Sequence, residues 1–237
     1  MRPTAPIALA LLAVGLVVTA CPPRRGPDPD PRRRVVPKGG GVLRVRMPAD
    51  LPKLPCLLQN HRWCDRILMD AVYEPLVRWN SKRERFEPWL AAGWKRLEEG
   101  RIFQLTLREK VTWHNGKPFT AQDVKHSLDR LRNHHGMASP PPFARRFAAA
   151  VERVRYSTKH QVEIRFKKPF GPILEILAAV PIQPAKKTLG DAVSDGARVV
   201  GTGPFRFIQW WPQEKIVISR WHNYWGRPSR LSRVEFH

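Results

Sequence analysis

The sequence predicts an α/β fold with α+β character in its middle, and three stretches carry that expectation. Residues 111–131 read as strand, tight turn and capped amphipathic helix. Phe103, Leu105 and Leu107 alternate with Gln104, Thr106 and Arg108, the pattern of a half-buried strand. Val154 and Tyr156, then Val162, Ile164 and Phe166, alternate with polar neighbours on either side of a turn at residues 157–160, which makes a β-hairpin.

The chain of 237 residues is long enough for one large or two modest domains. Hydrophobic residues make up 42%, which excludes a chain that is disordered throughout. Lys and Arg number 42 against 20 Asp and Glu, a net charge of +22. Nucleic acid, anionic lipid and acidic ligands are the standing partners for such a balance. The cations are scattered through strands and helices, so the plainer reading is an Arg-rich solvated surface.

The N-terminus reads as an export signal. Arg2 precedes an apolar run at residues 7–18, too short to span a bilayer. Val18-Thr19-Ala20-Cys21 resembles a lipobox, so residues 1–20 are a lipoprotein signal peptide and Cys21 is the candidate lipidation site. An ordinary signal peptide with a coincidental cysteine is the alternative. Export argues against a nucleic-acid partner. Residues 21–38 are rich in Pro and Arg and form an extended tether. Its Arg24, Arg25 and residues 32–34 beside an anchor are drawn to anionic headgroups, although a plain spacer is simpler.

The folded part starts at Gly39. Three glycines lead into a short strand, Val42 to Arg46, with no Lys-Ser/Thr ending that would make a phosphate loop. Cys56 and Cys64 are candidates for a disulfide in an exported chain. Free thiols and a metal held with His61 are the weaker alternatives. Ile67, Leu68, Ala71, Val72 and Leu76 mark one helical face, with Tyr73 as core and Glu74 as a helix-end charge. Trp89 and Trp94 read as core aromatics. Val111 and Trp113 close a strand, Asn115-Gly116 turns the chain, and Thr120 with Asp123 forms a capping-box variant. Val124, Leu128 and Leu131 then recur at helical spacing. His134-His135 and Met137 sit in a Pro-rich loop that lacks the further ligands a metal needs. Lys168-Pro169-Phe170 leads into a short helix through Ile173, Leu174 and Leu177. The glycines of Gly201-Thr202-Gly203-Pro204 let the backbone turn before a strand. Two more strands follow, at residues 216–218 and 232–236.

Several of these phrases together resemble one family. Trp113-His114-Asn115-Gly116-Lys117-Pro118-Phe119-Thr120-Ala121-Gln122-Asp123-Val124 resembles the signature of the family 5 extracellular solute-binding proteins, the peptide-, dipeptide- and nickel-binding lipoproteins of bacterial ABC importers. Gly201-Thr202-Gly203-Pro204-Phe205, Tyr73-Glu74-Pro75-Leu76, Pro88-Trp89-Leu90-Ala91 and Asn223-Tyr224-Trp225-Gly226 resemble further family phrases, in family order. The resemblance implies a type II periplasmic-binding-protein-like first lobe, residues 39–237. Its mixed main sheet comes from residues 39–57 and 182–237, and residues 58–181 form an inserted hairpin-rich subdomain. It implies Asp50, Leu51 and Phe143 as ligand contacts, with Leu54-Pro55-Cys56 departing from the family's usual Leu-Asp-Pro. It implies an oligopeptide or similar small solute, permease subunits as partners, a monomer in the periplasm or envelope, and no cofactor, metal or catalysis. No Gly-x-Ser-x-Gly, His-Glu-x-x-His or paired-Cys pattern is present. Family members are longer, so the chain is expected to hold the first lobe without the second, as a truncated product. The alternative function is an envelope-anchored structural or interaction protein on the same lobe.

Overall fold

The computed structural model describes residues 39–51, 62–69, 71–134, 137, 139–185 and 199–237. Cys21, Cys56, the apolar leader and the tether lie outside the described residues. In chain order the elements are β1 (Val42–Val45), α1 (Arg62–Leu68), β2 (Val77–Asn80), β3 (Arg85–Pro88), β4 (Ala91–Leu97), β5 (Ile102–Leu107), α2 (Ala121–Arg132), α3 (Pro142–Ala150), β6 (Val151–Thr158), β7 (Gln161–Phe166), α4 (Ile173–Ala179), β8 (Phe205–Trp211), β9 (Lys215–Arg220) and β10 (Arg233–Phe236).

The strands form a mixed sheet β1-β10-β9-β8, an antiparallel sheet β4-β5-β7-β6 and the hairpin β2-β3. In the mixed sheet β1 runs parallel to β10, with Leu43 opposite Val234. The remaining pairs in that sheet are antiparallel. The fold is therefore α/β with a mixed sheet and an inserted hairpin-rich subdomain. A parallel pair needs a long crossover, and here nearly the whole folded chain is that crossover.

Two hydrophobic clusters follow from this layout. The larger lies between the antiparallel sheet and α2, α3 and α4. Phe103, Leu105, Val162, Ile164 and Phe166 meet Val124, Leu128, Leu131, Phe147 and Leu177 there. The smaller lies between the mixed sheet and α1, and contains Leu51, Cys64, Ile67, Leu68, Phe207, Ile216, Ile218 and Val234. Each fully buried aliphatic or aromatic side chain stabilises by roughly 1.5–3 kcal/mol, so each cluster is a core in its own right.

Local signals explain α2. Thr120 is extended, and its N–H donates to Asp123 Oδ2 at 2.8 Å, closing the capping box. Lys125 and Asp129 pair along one face, and Arg130 and Arg132 lie in the last turn, where cations suit the carbonyl end.

Three expectations are corrected. The strand at Val111–Trp113 is a single bridge, Thr112 to Pro118. Trp113 N–H donates to the Lys117 carbonyl and Gly116 N–H to the Trp113 carbonyl, each at 2.8 Å. Gly116 has φ +81°, so the chain closes a tight turn before a ladder can form. The helical face at residues 67–76 is helix only to Leu68. Beyond it the Ala71 and Val72 carbonyls accept from Phe205 and Gly203 N–H groups, both at 2.9 Å, which helical carbonyls would spend within the helix. Trp89 and Trp94 pack on the larger core but are only partly buried.

Candidate functional site

Parallel strands end on the same side of a sheet, and ligands of open α/β sheets sit at their carboxyl ends. After β1 the chain continues through Met47-Pro48-Ala49-Asp50, and after β10 comes His237. The ladder extends this far, since Met47 N–H donates to the His237 carbonyl and His237 N–H donates to the Val45 carbonyl. The β8–β9 turn reaches the same edge with Gln213, Glu214 and Lys215. Together these residues line a depression of about 270 Å³.

Asp50 holds this edge together. Its Oδ1 accepts from Leu51 N–H at 2.7 Å and from the Trp210 indole at 3.0 Å. Its Oδ2 accepts from Gln213 N–H. Asp50 therefore clamps the segment after β1 onto the β8–β9 turn, with its carboxylate already occupied. Leu51 has its side chain buried in the smaller core. Phe143 lies on α3, half-buried against the larger core. Asp50 and Leu51 thus sit together, while Phe143 belongs to the other cluster. Cys64 is buried and disulfide-bonded, and its partner lies outside the described residues. His135 also lies outside them. Among the described residues no group of three or more His, Cys, Asp or Glu side chains is placed to hold a metal ion.

A second constellation joins the two cores. Glu74 is fully buried. Its Oε1 accepts from the Trp89 indole at 2.8 Å and the Tyr224 hydroxyl at 2.7 Å. Its Oε2 accepts from the Thr202 hydroxyl and the Trp225 indole, both at 2.9 Å. The Arg78 guanidinium lies 3.6 Å from the centroid of the Trp89 ring. Burial pushes the Glu74 carboxyl above the ordinary carboxylate range, against the pull of its four donors. This corrects the helix-end reading, since α1 has already ended at Leu68. Nothing local in the sequence marks Glu74, because its donors come from three distant segments.

His114 lies nearby. Its Nδ1 accepts from Gly201 N–H at 3.3 Å, which leaves the proton on Nε2 to be donated to the Gly203 carbonyl at 2.9 Å. Burial draws its pKa from 6.5 down to about 4, opposed by that carbonyl and reinforced by Arg206. Gly201 and Gly203 are needed for close approach rather than for turning. A Cβ on Gly201 would lie 1.8 Å from the Val72 carbonyl oxygen, and one on Gly203 would lie 2.4 Å from that of Ala71.

Comparison with known proteins adds to this geometry. The model of the bacterial extracellular solute-binding proteins, family 5 (Middle), matches residues 85–237. The chain is similar to the nickel-binding periplasmic protein of Escherichia coli K12, 27% identical over 173 residues, which is 70% of this chain and 31% of that protein. It is also similar to the dipeptide-binding protein of the same organism, 25% identical over 193 residues, 70% of this chain and 35% of that one. Among solved structures it resembles the ABC transporter-associated periplasmic binding protein DppA from Helicobacter pylori in complex with a peptide. The TM-score is 0.71 at 22% identity, covering 84% of this chain and 43% of that one. That likeness gives the fold, one lobe of a periplasmic binding protein. The chain spans about a third of the length of the two Escherichia coli relatives.

Proposed function

Because the chain belongs to the family 5 bacterial extracellular solute-binding proteins, we propose that it is an extracytoplasmic solute-binding component of an ABC importer. It takes a peptide-like solute and is held to a membrane through lipidated Cys21. The family binds rather than transforms, so the site needs no nucleophile and no general acid or base.

The carboxyl edge of β1 and β10 carries this reading. Among the described residues the amide and carbonyl of Ala49 have no hydrogen-bond partner. An extended peptide can pair there as an added strand, gaining affinity through main-chain bonds. Glu214 and Lys215, 3.0 Å apart, offer one charge of each sign at the same edge. Asp50 is the positioning residue that keeps Ala49 facing outward. The peptide- and dipeptide-binding relatives support the solute class. Binding proteins gain most of their affinity by closing two lobes around the ligand, so one lobe alone is expected to bind weakly.

Calorimetric titration with a mixture of short peptides tests the reading. A weak, saturable heat that Asp50→Ala abolishes is the expected result. No heat with any peptide mixture would favour an envelope-anchored interaction protein built on the same lobe.

A further inference from the structure

Residues 199–205 form a strap between the two cores. Val199 lies in the smaller core and Val200 packs on the larger one, so the strap begins where the cores meet. It ends at Phe205, the first residue of β8. One side of the strap is held by the segment after α1. Gly203 N–H donates to the Val72 carbonyl and Phe205 N–H to the Ala71 carbonyl, and the Thr202 hydroxyl donates to Glu74. The other side is gripped by His114. Its main-chain N–H donates to the Gly201 carbonyl at 2.9 Å, its Nδ1 accepts from Gly201 N–H, and its Nε2 donates to the Gly203 carbonyl.

This grip needs a neutral ring. The imidazole lone pair is on Nδ1, so a further proton must go there. Nδ1–H would then face Gly201 N–H at 3.3 Å, donor against donor. A buried N–H without an acceptor and a buried cation are both costly. The surroundings do not offset them. From β8, Arg206 sets a second positive charge against the ring. The segment after β9 brings the Trp221 ring, 5.6 Å away, and Tyr224, whose hydroxyl is bound to Glu74. Glu74 itself is reached through Thr202 and is spent on its four donors. Asp123 is reached through the Trp113 indole and is spent on Thr120 and Ala185 as well. Lys117, on the same turn as His114, is a cation too. The protonated ring therefore relieves the conflict by leaving the strap.

We propose that His114 is an acid-sensitive latch, which on gaining a proton lets go of the Gly201–Gly203 strap while both cores stay folded. Glu74 keeps Thr202 from the other side, so the joint loosens on one side only. The proposal goes beyond solute binding and does not depend on it.

Amide-resolved hydrogen exchange of the full chain at stepped pH tests it, with rates corrected for the intrinsic chemistry at each pH. The readout is the amides of Gly201 and His114, which bond across the latch. Amides of β5 and β9, the strands flanked on both sides in their sheets, are the reference. An open latch returns His114 to its ordinary pKa of 6.5, while the closed one holds it at about 4. The open population should therefore rise about tenfold per pH unit across that window, about 300-fold in all. Dilute urea separates local from global opening, because it speeds unfolding in proportion to the surface exposed. The Gly201 and His114 amides are expected to exchange by a route that dilute urea leaves nearly unchanged, and the reference amides by one that it accelerates. His114→Gln carries no charge, and its strap amides should show no such slope once a thermal melt confirms that it is folded. The wild-type profile decides by itself if that variant does not fold. Strap amides with the urea dependence of the reference amides would mean that the strap opens only with the whole fold, and would overturn the proposal. A flat pH profile in the wild type, or the same slope in folded H114Q, would overturn it as well.

Discussion

Replacing Glu74 by Gln tests whether one carboxylate joins the two cores. A carboxylate only accepts, and Glu74 accepts four bonds on two oxygens. A glutamine amide keeps one oxygen and turns the other position into a donor. Thr202 and Tyr224 can rotate their hydroxyls to accept from it, but an indole N–H cannot. Either amide orientation leaves one of Trp89 and Trp225 facing another donor. An orphaned buried donor costs about 1–3 kcal/mol, and the surviving bonds lose their charge assistance. Relief of the buried charge offsets part of this, so a net loss of about 2–3 kcal/mol is expected. Urea unfolding followed by tryptophan fluorescence measures it. A cycle with Trp225→Phe, which keeps an aromatic ring against Trp89, should show coupling of at least about 1 kcal/mol. A loss below about 0.5 kcal/mol with no coupling would refute the reasoning.

Acid should destabilise the fold through His114. Its folded pKa lies below its unfolded value, so the unfolded chain binds the extra proton, and stability falls as pH drops from 6.5 towards about 4. Over that window the loss is about 3 kcal/mol, and His114→Gln should flatten the slope in urea titrations at stepped pH. Glu74 acts oppositely: its raised folded pKa gives stability that is present below 4.5 and lost as pH rises through that folded value, so E74Q should steepen the acid slope. Gly201→Ala has no room against the Val72 carbonyl and should abolish cooperative unfolding in a thermal melt. If Cys64 pairs with Cys56, reduction should cost roughly 2–3 kcal/mol, and mass mapping of the non-reduced digest should recover that bridge. Cys21→Ser should lose both palmitate labelling and the membrane fraction.

The sequence reveals elements whose evidence is local. Leu105 and Leu107 alternate with solvated neighbours because their sheet has one wet face, and that period survives in the sequence. Thr120 and Asp123 are three residues apart, so their reciprocal bonds can be read directly. The residues 67–76 mislead for the opposite reason. Ile67, Leu68, Val72 and Leu76 are all buried, as a helical face would be, but the carbonyls of Ala71 and Val72 are claimed by a segment far along the chain. Glu74 is still less visible, since one of its donors lies 151 residues away. Asp50 reads equally well as a turn residue or a ligand contact until Trp210 and Gln213 are found on its oxygens.

The placement of the family phrases accounts for this difference. Tyr73-Glu74, Pro88-Trp89, Trp113-His114, Gly201-Thr202-Gly203 and Tyr224-Trp225 do not line the edge at Ala49. They meet at Glu74 and His114, where the two cores are fastened together. A buried carboxylate with four fixed donors tolerates few substitutions, because each change strands a partner. An open edge that offers main-chain groups leaves its side chains freer to vary. The phrases that identify the family therefore report the joint between the cores, and the edge we propose for the solute, at residues 47–50 and 213–215, lies apart from that joint.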